Sequence, residues 1–342
     1  MNKELAKYLK EGGTLGSLAK RPKKRAATAS FPCDPAEVYE TQVAALAKRL
    51  KRIGVKDVVI GISGGLDSAL CLLVTAGAYA DLGLDFKGIH VFTMPGFGTT
   101  KRTEGNADLL CEGLGLALEK IDITKTCRQQ LKDIGHDGKT PDVTFENAQA
   151  RMRTMILMDK ANMVGGIVLG TGDLSEIALG WCTYNGDHMS MFGVNSGVPK
   201  TVVRKVCDMW ADAVLEAADE KSPLRKSAKA LKDIIATPVS PELVKGQVTE
   251  DKIGPYELHD FFIWNFIVNG LDKKDLLAAA KVFFKGVYSV ELIKKTLDTF
   301  LYRLVAQAFK RNCAPDGIKV FPFEFSLADW HVPSDLPRGI LL

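Results

Sequence analysis

Apolar positions recur along the chain with two periods, and the order in which the periods alternate predicts the fold. After Asp34-Pro35, the residues Val43, Leu46, Ala47, Leu50 and Ile53 follow helical spacing, and Gly54 ends the run. The next stretch, 57–62, is short, apolar and rich in β-branched residues, as expected of a strand buried on both faces. It runs into Ser63-Gly64-Gly65-Leu66-Asp67-Ser68, and an apolar helix follows over 69–80. Residues 87–93, 118–123 and 166–169 read as further strands, with a helix over 102–114 between the first two. Strands separated by helix-length segments imply right-handed crossovers: an α/β fold with an open parallel sheet covered by helices on both faces. Ligands of such sheets sit at the carboxyl ends of the strands, where the glycine-bearing loops 61–68 and 170–173 fall. From about residue 203 the pattern is helical, over 203–218, 258–268, 274–284 and 289–310.

This predicts a nucleotide-binding α/β core over 31–203 and a mainly helical extension over 204–342. The lysine-rich, proline-bounded stretch 221–255 is expected as a mobile loop. At 342 residues and 46% hydrophobic composition the chain can bury one large core with additions. Its net charge of +4 is uneven, because residues 1–30 alone carry eight basic and two acidic side chains. That segment is expected as a basic flexible tail. Removing it leaves the fold slightly negative, which argues against nucleic acid as a partner. The seven cysteines show no Cys-x-x-Cys pair, so neither a disulfide framework nor a zinc site is indicated. The longest near-apolar run, 69–80, is too short to span a bilayer, so a cytoplasmic protein with no membrane partner is expected.

The stretch 63–68 lies between a strand and a helix, where successive backbone N–H groups and the positive helix end can hold a pyrophosphate. Ser63 and Ser68 add hydroxyl donors, and Asp67 makes sense beside phosphate if a divalent cation lies between. No Gly-Lys-Ser/Thr follows, which excludes the common P-loop and points to the Ser-Gly-Gly-x-Asp-Ser loop of enzymes that cleave ATP to AMP and pyrophosphate. The bland alternative is a glycine-rich turn with Asp67 as a helix cap. A second constellation, Gly170-Thr171-Gly172-Asp173-Leu174-Ser175-Glu176, admits two readings. Asp173 and Glu176 fit a capping box, and Glu176 also fits a second magnesium carboxylate facing Asp67.

The segment that follows decides between them. GISGGLDSAL (61–70), MPGFGTTKRT (94–103), DVTFENAQARMRT (142–154), GGIVLGTGDLSEIALGWCTYNGDHMS (165–190), NSGVPKT (195–201) and FKRNCAP (309–315) together resemble NAD synthetase. The match is to the synthetase half of the glutamine-dependent, two-domain enzymes, over residue 30 to the end. The resemblance implies an adenine nucleotide alpha hydrolase-like fold and an ATP site at Gly61, Ile62, Ser63, Gly64, Gly65, Leu66, Asp67 and Ser68, with Asp67 and Glu176 as Mg²⁺ ligands. It adds Thr171 and Ser240 as ATP contacts and Lys200 as the lysine that reaches the phosphates. Asn147, Arg151, Glu176, Trp181, Cys182, Thr183, Tyr184, Asp187 and Lys310 match deamido-NAD positions, in a site that lies across a homodimer interface in this family.

The implied reaction adenylates the nicotinate carboxylate of deamido-NAD with ATP, releases pyrophosphate, and lets ammonia displace AMP. Asp173 is the expected proton acceptor for that second step. Two departures stand out. The loop 183–187 is one residue shorter than in similar two-domain members, and residues 1–30 cannot house their nitrilase-like glutaminase, so ammonia is expected to arrive free or from a separate glutaminase. The competing readings are another ATP pyrophosphatase of the same loop class and a non-catalytic nucleotide-binding subunit. His188 and Cys182 are expected to be structural, and Phe261, Phe262, Trp264 and Phe266 to form core or dimer interface.

Overall fold

Val58, Val59 and Ile60 are fully buried because strand β1 (Val58–Gly61) runs through the centre of a five-stranded parallel sheet. Its companions are β2 (Ile89–Thr93), β3 (Leu118–Lys120), β4 (Ile167–Gly170) and β5 (Phe192–Gly193), in the order β3-β2-β1-β4-β5. Register pairs Val58 with Ile89 on one side and with Ile167 on the other. The chain moves outward from β1 to β3 and returns to β4 on the opposite side, so the strand order reverses between β1 and β4. That switch point is where the loops after β1 and β4 open a crevice. The computed structural model describes residues 3–29, 31–237, 243 and 248–342.

The helices in chain order are α1 (Lys3–Lys10), α2 (Pro35–Ile53), α3 (Leu66–Leu82), α4 (Lys101–Gly113), α5 (Thr124–Asp133), α6 (Val143–Val164) and α7 (Leu174–Leu179). They continue with α8 (Lys200–Ala217), α9 (Leu224–Ile235), α10 (Thr249–Ile253), α11 (Tyr256–Ile267), α12 (Lys273–Phe283), α13 (Val290–Ala306) and α14 (Ala308–Arg311). Alternation along β1 sends Val58 and Ile60 into the main core with residues of α2, α3 and α8, and Val59 into a second core with Cys127 and Met152 of α5 and α6. Helix α2 begins as its sequence dictates: the Asp34 carboxylate accepts from the Ala36 N–H at 2.9 Å, Pro35 stands in the first turn, and Gly54 ends the helix at φ +69°. The aromatic run on α11 is core: Phe261, Phe262, Trp264 and Phe266 are all buried.

Three expectations are corrected. The N-terminal segment is docked along the end of α11 rather than free. Arg21 lies 4.3 Å from the centre of the Phe266 ring and donates to the Leu271 carbonyl at 3.1 Å, while Lys24 pairs with Asp272 and Asp275. Thr28 exchanges backbone bonds with the buried Asn265 amide at 3.0 and 2.9 Å. Backbone-to-asparagine pairing leaves no hydrophobic period to read. In the stretch expected as a loop, residues 224–235 form α9, whose Ala228, Leu231 and Ile234 are buried, and 249–253 form α10. Ser240 lies outside the described residues. The helix expected over 289–310 is interrupted at Gln307, which divides α13 from α14. Among the described helices none is long and apolar enough to cross a membrane.

Candidate active site at the strand switch point

The loop after β1 folds on its own hydroxyls. Ser63 Oγ accepts from the Gly65 N–H at 3.2 Å, and Ser68 Oγ lies 3.2 Å from Ser63 Oγ and donates to the Gly65 carbonyl at 3.1 Å. Gly64 adopts φ +80°, and a Cβ there would meet the Thr103 carbonyl oxygen at 2.2 Å, so only glycine fits this turn. Gly65 then opens α3 without a side-chain cap, which leaves the first N–H groups of the helix free of a capping side chain.

Facing this loop, Asp173 begins α7. Its Oδ1 accepts from the Glu176 N–H at 2.8 Å, the cap that the spacing implied. Its other oxygen lies 2.8 Å from Lys200 Nζ, and Glu176 directs its carboxylate to the same ammonium at 3.0 Å. Asp67 completes the set at 2.6 Å. One lysine at the start of α8, 5% exposed, thus joins three carboxylates from α3 and the two ends of the α7 first turn. The capping reading of Asp173 therefore holds, and the same turn places Glu176 beside Asp67 on one ammonium.

The electrostatics follow from burial. Desolvation pushes Asp173 well above the usual carboxylate range and Glu176 up to about 7, opposed in each case by Lys200. Burial alone would lower Lys200, but Asp173, Asp67 and Glu176 outweigh it and hold the ammonium charged. Lys200 Nζ also lies 5.1 Å from the centre of the buried Tyr256 ring. Ligand atoms of Asp67, Asp173 and Glu176 lie within 4.8 Å of one another, and Asp67 Oδ1 is buried with no hydrogen-bond partner. Hard oxygen donors at that spacing fit a divalent cation such as Mg²⁺.

Beyond the C-terminal end of α7, roughly 9 Å along its axis, the remaining predicted residues gather. Thr183 Oγ1 donates to Asn147 Oδ1 at 2.7 Å, the Thr183 N–H donates to Asp187 Oδ1 at 2.7 Å, and Arg151 donates to the Tyr184 carbonyl at 3.3 Å. Lys310 donates to the carbonyls of Gly180 and Cys182 at 2.9 and 2.6 Å. Trp181 lies under the Arg303 guanidinium at 5.1 Å. Tyr184 stacks on His188 at 5.4 Å and is exposed. Burial pushes the Cys182 thiol up, which suits a packing residue and not a nucleophile.

Residues outside the expected ATP and deamido-NAD contacts hold these parts together. Asn195, fully buried, donates to the carbonyls of both Asp67 and Thr171 at 2.8 and 3.0 Å and accepts from Gln42, so one amide ties the two strand-end loops. Arg303 and Arg311 donate to carbonyls of Leu179, Gly180 and Ala178 and neutralise the negative end of α7. Asn195 stood within a quoted motif. Arg303 had no such signal, being one cation on an amphipathic helix.

Comparison with known proteins identifies the family. A family model described as NAD synthase matches residues 38–297. The glutamine-dependent NAD(+) synthetase of Mycobacterium leprae is 38% identical over 337 residues, covering 90% of this chain and 48% of that protein. The enzyme of the same name from Thermotoga maritima is 31% identical over 307 residues, covering 89% and 48%. The chain therefore spans about half the length of the curated relatives it matches. Among solved structures, a glutamine-dependent NAD(+) synthetase from Cytophaga hutchinsonii superposes with a TM-score of 0.69 at 17% identity, covering 89% of this chain and 54% of that one. An NMN synthetase from Francisella tularensis gives 0.61 at 23%, covering 83% and 98%. These two establish the shared fold. On the family model and these relatives, the chain belongs to the NAD synthase family.

Proposed function

We propose that the chain catalyses ATP-dependent amidation of deamido-NAD to NAD, with AMP and pyrophosphate as the other products and ammonia as the direct nitrogen donor. The observation that carries this reading is the convergence of Asp67, Asp173, Glu176 and Lys200 beside an Ser-Gly-Gly-x-Asp-Ser loop at the strand switch point. The first step brings two anions together, so the site must supply positive charge before it can supply alignment. The loop N–H groups and the N-terminus of α3 are suited to the phosphates, and Lys200 adds a cation held within reach of them. Mg²⁺ on Asp67 and Glu176 would supply further neutralisation of the triphosphate. The nicotinate carboxylate forms a bond to the α-phosphorus as the bond to pyrophosphate breaks. Ammonia then attacks the activated carbonyl carbon, AMP leaves with the bonding pair, and the nitrogen releases one proton.

Asn147, Arg151, Thr183, Tyr184, Asp187 and Lys310, together with Trp181 and Cys182, form the proposed deamido-NAD surface, and the resemblance supports a homodimer that completes it. Asp173, the expected proton acceptor, is proposed instead to hold Lys200, since one of its oxygens caps α7 and the other meets the ammonium. Asp67→Asn removes one charge from the cluster while preserving its shape. It is expected to abolish AMP release from ATP and deamido-NAD with little change in thermal unfolding; wild-type AMP release by this variant would refute the assigned role.

A further inference from the structure

Helix α8 starts without a side-chain cap of its own, because its first flanking residue is Pro199. Its N–H groups find partners on other elements. The Lys200 N–H donates to Ser175 Oγ at 2.9 Å, and the Thr201 N–H donates to Asp260 Oδ2 at 2.9 Å. Thr201 Oγ1 donates to the same oxygen at 2.7 Å, and the Ser175 hydroxyl donates to Asp260 Oδ1. Asp260 therefore receives three hydrogen bonds while only 2% exposed, in the middle of the apolar helix α11. A carboxylate so placed needs such compensation, and the positive end of α8 supplies more.

The consequence lies in what these contacts connect. Ser175 sits between Asp173 and Glu176 on the first turn of α7, and Lys200 precedes Thr201 on the first turn of α8. One buried carboxylate of the helical extension thus sets the distance between the turn that carries two of the clustered carboxylates and the turn that carries their lysine.

We propose that Asp260, acting through Ser175 and Thr201, is a positioning residue for the Asp67–Asp173–Glu176–Lys200 cluster and so for its engagement of metal-bound ATP. The inference rests on the reading of that cluster given above. Asp260→Asn keeps the size of the side chain but offers one acceptor oxygen to three donors, so the two turns lose their common anchor.

The test measures ATP affinity by calorimetry with Mg²⁺ and again with a chelator, for the wild type, Asp260→Asn, Ser175→Ala and the double variant. The ratio of the two affinities isolates the cluster, because loss of active protein changes the number of sites and not the ratio. In Asp260→Asn the gain conferred by Mg²⁺ is expected to fall about tenfold while metal-free ATP binding stays within twofold. Ser175→Ala is expected to lower the gain in the same direction, and the double variant to lose no more than the stronger single one. A full Mg²⁺ gain in Asp260→Asn, or losses that multiply in the double variant, would overturn the proposal. Should Asp260→Asn fail to fold, Ser175→Ala decides alone, a full gain counting against the role. A wild type whose ATP affinity ignores Mg²⁺ would instead overturn the metal reading itself, a distinct result.

Discussion

At the scale of single residues, the site is held by buried side chains that tie together backbone groups of separate loops. Asn195 is the clearest case: its amide holds the carbonyls of Asp67 and Thr171, and Gln42 in turn holds Asn195. Asn195→Ala would leave these groups buried and unpaired, a cost of about 1–3 kcal/mol for each orphan not reached by water. Denaturant unfolding is expected to show a loss of at least about 2 kcal/mol, accompanied by weaker ATP binding; an unchanged midpoint would mean that the two loops are held otherwise. The residues legible in the sequence were those whose chemistry is local. Asp67 was readable from the loop around it, and Asp173 and Glu176 from their spacing of three. Asn195 and Asp260 were not assigned, because their partners lie on segments distant in sequence. The sign left by Asp260 was only a charge inside an otherwise apolar helix.

Among the elements, those with strong periods appeared where expected, and those held by tertiary contacts did not. Helix α2 and strands β1, β2 and β4 lie within a few residues of the pattern. Strand β5 is two residues long and pairs with β4 only through Leu169 and Gly170, too little for any period to mark. Helix α6 is apolar on several sides, so its face toward the sheet did not stand out. Helix α11 carries a second consequence. His259 is fully buried, its Nε2 donates to the Ile253 carbonyl at 2.9 Å, and burial lowers its pKa from 6.5 to about 4. The folded chain thus stays neutral there while the unfolded chain takes up a proton, so stability is lost as pH falls from about 6.5 to about 4. The loss amounts to about 3 kcal/mol. Burial raises Glu176 and Asp260, whose contribution runs in the opposite direction and is common to both proteins in the comparison. Unfolding curves of wild type and His259→Gln are expected to converge as pH falls through that window; a constant difference between them would contradict the assignment.

For the whole molecule, the order of the strands decides where chemistry occurs, and the helical extension decides how firmly it is held. The extension contributes Asp260 to the cluster and Arg303, Lys310 and Arg311 to the end of α7, so the second half of the chain builds the site along with the first. The N-terminal segment braces that extension through Arg21, Lys24 and Thr28, and none of these three contacts involves the loop after β1. Deleting residues 1–29 is expected to cost about 2–4 kcal/mol, since it removes a cation–π contact and several partly buried hydrogen bonds. ATP affinity should be unchanged; equal stability of the shortened chain would show that the docking has no energetic weight. The most direct test of the central claim is to incubate the purified chain with ATP, Mg²⁺, deamido-NAD and either ammonium or glutamine, following NAD, AMP and pyrophosphate. The account predicts equal amounts of all three with ammonium. No NAD with ammonium, or release of ADP and phosphate in place of AMP and pyrophosphate, would contradict it.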